Sequence, residues 1–337
     1  MTKQLKVLLV GGGGYVGVEL QRLLAESDYQ VRVLDTFWYP NGKWSDSHET
    51  FVSQIEYYYG DIRDRKIVNE ALKDVDACIH LACISNDPSY ELNPNLGKSI
   101  NYDAFGMFIE ELNKSSAKTF IYASSSSVYG VKEEENVTEE LLCEPLTDYS
   151  RYKVMCEELA LKDLVKEICL TIVRPSTICG YSRRQRFDLV VNILTLSALT
   201  RSEINVDGGE QFRPNLHIKD MISAYKLLLE KDPEVIDRKI YNVAGENLTV
   251  LQIAQKVKSQ MDNNCKITMV PVLDQRSYRV SGKKIATDIG FTPIHTVEEA
   301  INDIKQAYLS GKFQNYESDL YFNIKQMKFL MSNGTIK

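Results

Sequence analysis

The stretch Lys6-Val7-Leu8-Leu9-Val10-Gly11-Gly12-Gly13-Gly14-Tyr15-Val16-Gly17 joins an apolar run to a glycine loop. Five residues suited to a buried strand lead into glycines at two overlapping spacings, Gly11/Gly14/Gly17 and Gly12/Gly14/Gly17. Glycine is needed where the backbone must turn tightly, approach a pyrophosphate and let a helix pack against a strand. Residues 15–25 then carry Val16, Leu20, Leu23 and Leu24 at helical spacing, so a helix N-terminus would offer N–H donors and partial positive charge to phosphates. Taken alone, such a loop is equally a flexible turn. Asp35, at the end of the next apolar run over 31–34, tips the balance. A carboxylate there hydrogen-bonds an adenosine ribose and repels a 2′-phosphate, which favours NAD over NADP; its competing role is a cap.

Working outward, apolar runs at Ile55–Tyr59, 77–81, Thr119–Ala123 and 170–174 read as strands, and 67–72, 101–115 and 149–165 read as helices. Alternation of this kind implies an α/β fold with a Rossmann-type, doubly wound parallel sheet. The pattern loosens after Pro175, with a helix at 189–199, a late strand at Lys239–Val243 and helices at 250–260 and Val297–Leu309. We expect residues 1–175 to form the dinucleotide domain, with about 204–245 returning to it in part. Residues 176–203 and 246–310 then form a smaller, interleaved substrate domain. The 311–337 tail reads as a surface-packed helix with no legible role.

At 337 residues the chain can bury two cores. A hydrophobic share of 44% and a charged share of 26% are those of ordinary soluble proteins. The net charge of −6 argues against general nucleic-acid or anionic-membrane binding. Seven cysteines lie scattered without a C-x-x-C pair, and the first residues run directly into a strand, so a reducing cytoplasm is expected. Four dispersed histidines give no metal-ligand spacing. His80 reads as a core histidine with its hydrogen bonds met.

Tyr149 and Lys153 stand four apart, on one helix face. An ammonium beside a phenol favours the phenolate and lowers its pKa. Upstream, Ser124-Ser125-Ser126-Ser127-Val128-Tyr129-Gly130 follows a strand, at the sheet edge where open α/β folds bind ligands. Asp61 and Ile62 after the third strand suit the edge and face of an adenine, and Leu81-Ala82 would let a cofactor lie close. The loop Gly180-Tyr-Ser-Arg183-Arg184-Gln-Arg186 is basic in an acidic chain; arginine forks suit a diphosphate, and a solvated loop is nearly as good a reading.

These motifs stand in the order found in the extended short-chain dehydrogenases/reductases. The resemblance continues through Asn101, Arg174-Pro175, Arg213-Pro-Asn-Leu-His217-Ile-Lys-Asp220 and Tyr241-Asn-Val-Ala-Gly245, to about residue 310. It is closest to the NAD-dependent nucleotide-sugar epimerases and dehydratases. The resemblance implies Tyr149 as general base, Lys153 as its electrostatic and ribose-binding partner, and Ser125 as the hydroxyl-binding residue, uncertain by one position among the serines. It implies cofactor contacts from Gly11, Gly14, Tyr15, Val16, Gly17, Asp35, Asp61, Ile62, Leu81, Ala82 and Asn101. Substrate contacts are expected from Ser85, Asn86, Ser126, Asn192, Arg213, Arg276 and Arg279. It also implies a homodimer in which the 101–115 and 149–165 helices pair into a four-helix bundle; Phe105, Phe108, Ile109, Val154, Leu159 and Leu161 fit that, and ordinary core packing explains them too.

Relatives that eliminate water resemble Thr-Asp-Glu where this chain has Ser125-Ser126-Ser127, and decarboxylating relatives carry glutamate at the position of Ser127. The surviving hydride-and-proton core implies oxidation at a ring hydroxyl, C4 above others, with 4-epimerisation as the net reaction. The alternatives are a 4-dehydrogenase or ketoreductase, then a 4,6-dehydratase or a non-catalytic NAD-binding regulator.

Overall fold

The computed structural model describes residues 4–44, 50–261, 264–271, 277–313 and 315–336. Twelve strands are described: β1 (Lys6–Val10), β2 (Gln30–Asp35), β3 (Ile55–Tyr59), β4 (Ala77–His80), β5 (Thr119–Ala123), β6 (Cys169–Pro175), β7 (Thr177–Cys179), β8 (Glu203–Asp207), β9 (Phe212–His217), β10 (Lys239–Val243), β11 (Asn247–Thr249) and β12 (Lys266–Val270). Seven of them form one sheet in the order β3-β2-β1-β4-β5-β6-β10. Every pairing in it is parallel, with Val7 opposite Val31 and Val10 opposite His80 in register. The strand order reverses beside β1, so the ends of β1 and β4 splay apart and leave a crevice at the carboxyl edge of the sheet.

Strands buried on both faces need apolar residues throughout, and Val7 to Val10 are each fully buried. Helices cover both faces. On one, Phe105, Phe108, Ile109, Cys156 and Ala160 pack against Leu8, Val10 and Leu170. On the other, Leu20, Leu24, Met221, Tyr225 and Leu228 pack against Val7, Leu9 and Val243. Beyond the main sheet, β11-β9-β7 form a three-stranded sheet and β12-β8 a parallel pair. The Val190–Arg201, Val250–Ser259 and Val297–Leu309 helices bury Val191, Ile253 and Ile301 beside them.

Two expectations change, and one open alternative is resolved. Residues 101–115 are not one regular helix: a π-turn at Ser99–Asp103 precedes the Ala104–Leu112 helix and rotates Asn101 inward. The Ile218–Leu229 helix has no counterpart in the sequence reading, although Ile218, Met221, Ile222, Tyr225 and Leu228 recur at helical spacing. Phe105, Phe108 and Ile109 are consumed by this chain's own core and are not free for a bundle; Met155, Leu161 and Val165 remain exposed.

His80 is a core residue but not a satisfied one. It lies between Phe105 and Phe108, with ring centroids 5.2 and 5.0 Å away, and neither ring nitrogen has a partner among the described residues. Burial, with the nearby Lys153 ammonium, pushes its pKa down to about 3. The folded state therefore refuses a proton that the unfolded chain accepts below about 6.5. Stability conferred by the neutral ring is complete above that pH and is lost as pH falls towards 3. The slope reaches about 1.4 kcal/mol per pH unit. Urea unfolding at pH 7, 6 and 5 is expected to show a shallower decline for His80→Leu than for the wild type; parallel curves would remove this explanation.

Candidate active site

The crevice is a cavity of about 440 Å³, within the usual size of a ligand cleft. Its floor is the glycine loop between β1 and the Gly17–Glu26 helix, a helix that no side chain caps. Gly11 has φ +76°, and a Cβ there would stand 2.4 Å from the Ala82 Cα, so the loops after β1 and β4 touch only because Gly11 has no side chain. A Cβ on Gly17 would come within 2.4 Å of the Gly12 carbonyl oxygen. Gly11, Gly14, Tyr15, Val16 and Gly17 all line the cavity.

At the end of β2, Asp35 accepts the Gly13 N–H at 2.9 Å and the Phe37 N–H at 2.7 Å while lining the cavity. Burial pushes its carboxyl above the usual range, and those two bonds oppose the rise. Asp61, Ile62, Leu81 and Ala82 line the same end. Burial raises the Asp61 carboxyl too, but the Arg63 guanidinium brings it below the usual range, with Nη2 at 2.6 Å.

The reactive end is built where β5 stops. Tyr149 and Lys153 reach the cavity from the Asp148–Asp163 helix, whose N-terminus Thr147 caps by accepting the Ser150 N–H. The four serines point in different directions. Ser124 donates to the buried Glu157 carboxylate, and the Ser127 hydroxyl accepts from that of Ser150 at 3.0 Å. Ser125 lies within hydrogen-bonding reach of the Tyr149 phenol. Ser126 is buried and lines the cavity.

The phenol itself departs from expectation. Burial holds the Tyr149 pKa well above the usual phenol range; Cys83 and Asp87 push the same way, while Arg186 and the Ser125 hydrogen bond oppose them. Lys153 does not outweigh burial, because its Nζ lies 5.9 Å from the Tyr149 ring centroid and donates at 2.6 Å to the Ala123 carbonyl. Burial thus opposes loss of the phenol proton, and a cation brought beside it works the other way.

A buried ion pair fixes the reactive end from below. Arg174 on β6 bonds Glu157 twice, at 3.0 and 2.6 Å, and donates to the Tyr129 hydroxyl at 2.9 Å. Tyr129 donates in turn to Asn242 at 2.8 Å. The Asp148–Asp163 helix, the serine run and β10 are thus tied through one guanidinium.

The second wall comes from the loop after β7. Arg184 and Arg186 are buried and line the cavity, so they are not a solvated loop; Arg183 instead stacks on Trp44, with 4.6 Å to the ring centroid. Arg186 bonds Asp188 at 2.6 Å and Ser85 at 3.0 Å. Arg184 Nε and Arg186 Nη2 are buried with no partner among the described residues. Spare donors on buried cations suit an anionic group. Among the described residues, no cluster of three or more His, Cys, Asp or Glu is arranged for a metal.

Ser85, Asn86 and Arg213 line the cavity. Asn86 does so with φ +71°, strain that such a residue bears where surroundings hold it. Three other expectations are corrected. Asn101 does not face the cavity: its amide exchanges two bonds with Ile84, at 2.8 and 3.0 Å, and so holds the loop after β4. Asn192 is fully buried behind the wall, bonding Tyr15 at 3.1 Å, the Arg186 carbonyl at 2.8 Å and the Gly180 N–H at 3.1 Å. Arg279 turns away, its guanidinium 4.8 Å from the Phe212 ring centroid, and its neighbour Tyr278 lines the cavity instead. Arg276 lies outside the described residues. Sequence reasoning missed Trp38 and Tyr39 after β2, Met221 and Tyr225 on the unread helix, and Asn323 and Met327 in the tail. Only the helix had a legible signal.

A family model described as the NAD dependent epimerase/dehydratase family matches residues 7–244. The chain is 26% identical over 324 residues to a UDP-glucose 4-epimerase of Lactobacillus helveticus, covering 89% of this chain and 94% of that one. It is 25% identical over 305 residues to a dTDP-glucose 4,6-dehydratase of Streptomyces niveus, covering 86% and 88%. Among solved structures, the UDP-glucuronic acid 4-epimerase of Bacillus cereus, in complex with UDP-glucuronic acid and NAD, matches with a TM-score of 0.79 at 24% identity. That match covers 90% of this chain and 100% of the other, and at such identity it speaks for the fold.

Proposed function

The chain belongs to the NAD-dependent epimerase/dehydratase family, and from that premise we propose that it is a nucleotide-sugar 4-epimerase. The cradle fits its cofactor: side-chain-free approach at Gly11, an uncapped helix start, and a carboxylate at Asp35 that lines the cavity at the end of β2. Bound NAD would supply reversible two-electron oxidation of a ring alcohol and positive charge beside the Tyr149 phenol, added to that of Lys153.

The chain does the rest. Tyr149 takes the proton of the sugar hydroxyl and later returns it. Ser125 hydrogen-bonds the same oxygen, and Lys153, held by the Ala123 carbonyl, keeps positive charge beneath the phenol. Arg184 and Arg186 present their spare donors to anionic groups of the nucleotide sugar. Ser85, Asn86, Ser126 and Arg213 shape the sugar and diphosphate end.

The observation that carries epimerisation is the serine run beside Tyr149: Ser125, Ser126 and Ser127 put hydroxyls where elimination would need its acid and base, and the carboxylate that does lie near the phenol, Asp87, accepts from the Thr147 hydroxyl at 2.6 Å. The test is pure enzyme, with and without added NAD, against a panel of nucleotide sugars, read by mass spectrometry and NADH absorbance. An isomer of unchanged mass without NADH is expected. Loss of two hydrogens with NADH accumulating makes it a 4-dehydrogenase. Loss of water overturns the reading of the serines.

A further inference from the structure

The C-terminal segment crosses the molecule. After the Val297–Leu309 helix, Phe313 and Tyr321 pack around Phe187 of the second wall, with ring centroids 5.1 and 5.4 Å away. The Phe187 N–H donates to the Tyr321 carbonyl at 2.8 Å. The Asn323–Ser332 helix then lies on the dinucleotide side, where Met327, Leu330 and Ile336 join the same buried cluster as Ile62 and Ile100.

Two of its residues face the cavity. Asn323 accepts from Arg184 at 2.6 Å and donates to Ser85 at 3.2 Å, and its own N–H donates to Asp188 at 3.2 Å. Met327, 3% exposed, lines the cavity together with Ile62, Ile100 and Trp38. Between them, Gln326 donates to the Trp38 carbonyl at 2.8 Å, clipping the segment to the loop that follows Asp35. The segment thus touches both walls, beside the orphan Arg184 Nε donor and beside the apolar adenosine end.

We propose that residues 315–336 are part of the ligand site, a strap in which Asn323 and Met327 contact bound ligand and which must lift before the dinucleotide leaves. The inference rests on the NAD reading above. It adds that cofactor is retained through turnover by the chain's own tail, as an enzyme with no net redox change requires. Asn323 positions Arg184 at the sugar end, and Met327 covers the adenosine end.

The test uses full-length holoenzyme. NAD release is followed by protein fluorescence after dilution into excess competitor, and bound NAD per chain is counted after desalting. Gln326→Ala/Met327→Ala is expected to release NAD about tenfold faster, equivalent to about 1.4 kcal/mol. Asn323→Ala is expected to raise the KM for the sugar more than it lowers kcat. Hydrogen exchange on the wild type, with and without NAD, guards against variants that fail to fold; slower exchange in 321–336 with NAD supports the strap. Unchanged release in the variants, or equal exchange with and without NAD, overturns it while leaving the NAD reading intact. A wild-type chain that binds no NAD overturns both.

Discussion

Tyr149→Phe is expected to lower turnover by about 10²–10⁴-fold, the usual contribution of one positioned proton-transfer group, while NAD stays bound. The variant removes a single hydroxyl from a buried ring, so packing survives and the loss reports chemistry. The pH dependence sharpens it. Burial raises the phenol's pKa, and in the proposed reaction the deprotonated form is the one that takes the proton. The wild-type rate should therefore climb with pH while the phenol still titrates, and the residual rate of the variant should not follow it. Steady-state kinetics across pH, with bound NAD counted in parallel, make the measurement. Equal turnover in both proteins would remove Tyr149 from the proton transfer, and no turnover in either would leave a cofactor-binding regulator.

The second large effect lies below the site. Arg174→Met is expected to cost about 3–5 kcal/mol, because it strands the Glu157 carboxylate, 3% exposed, without its cation. It also removes the donor to Tyr129 and loosens the hold on Ser124. Adding Glu157→Leu should recover much of that loss, since two apolar side chains do not leave a buried charge. Chemical unfolding of both single variants and the double variant closes a cycle; simple additivity would show that the two groups do not act as a pair.

Much of the fold is written in local signals. Continuous apolar strands, the glycine loop and strand–helix alternation specify a parallel sheet because each is enforced within a few residues. The π-turn at Ser99–Asp103 is not legible, because Asn101 is drawn inward by a bond to Ile84, seventeen positions earlier. The site divides the same way. Asp35, Tyr149 and Lys153 sit at spacings that chemistry demands, so the chain announces them. Arg184 and Arg186 look like solvated charges until Asp188, Ser85 and Asn323 close around them. Asn192 occupies a substrate-like position, yet its amide is spent on the Tyr15 hydroxyl and the Arg186 and Gly180 backbone. Asn323 carries no local signal at all, for its role depends on where a tail over 300 residues downstream of the glycine loop comes to rest.

That resting place bears on how the protein is made. Leu8 of the first strand and Ile336, one residue from the C-terminus, belong to a single core. Translation at about 5–20 residues per second separates their emergence by roughly tens of seconds. The core around the first strands must wait with part of its interior open until residues 327–336 have been made.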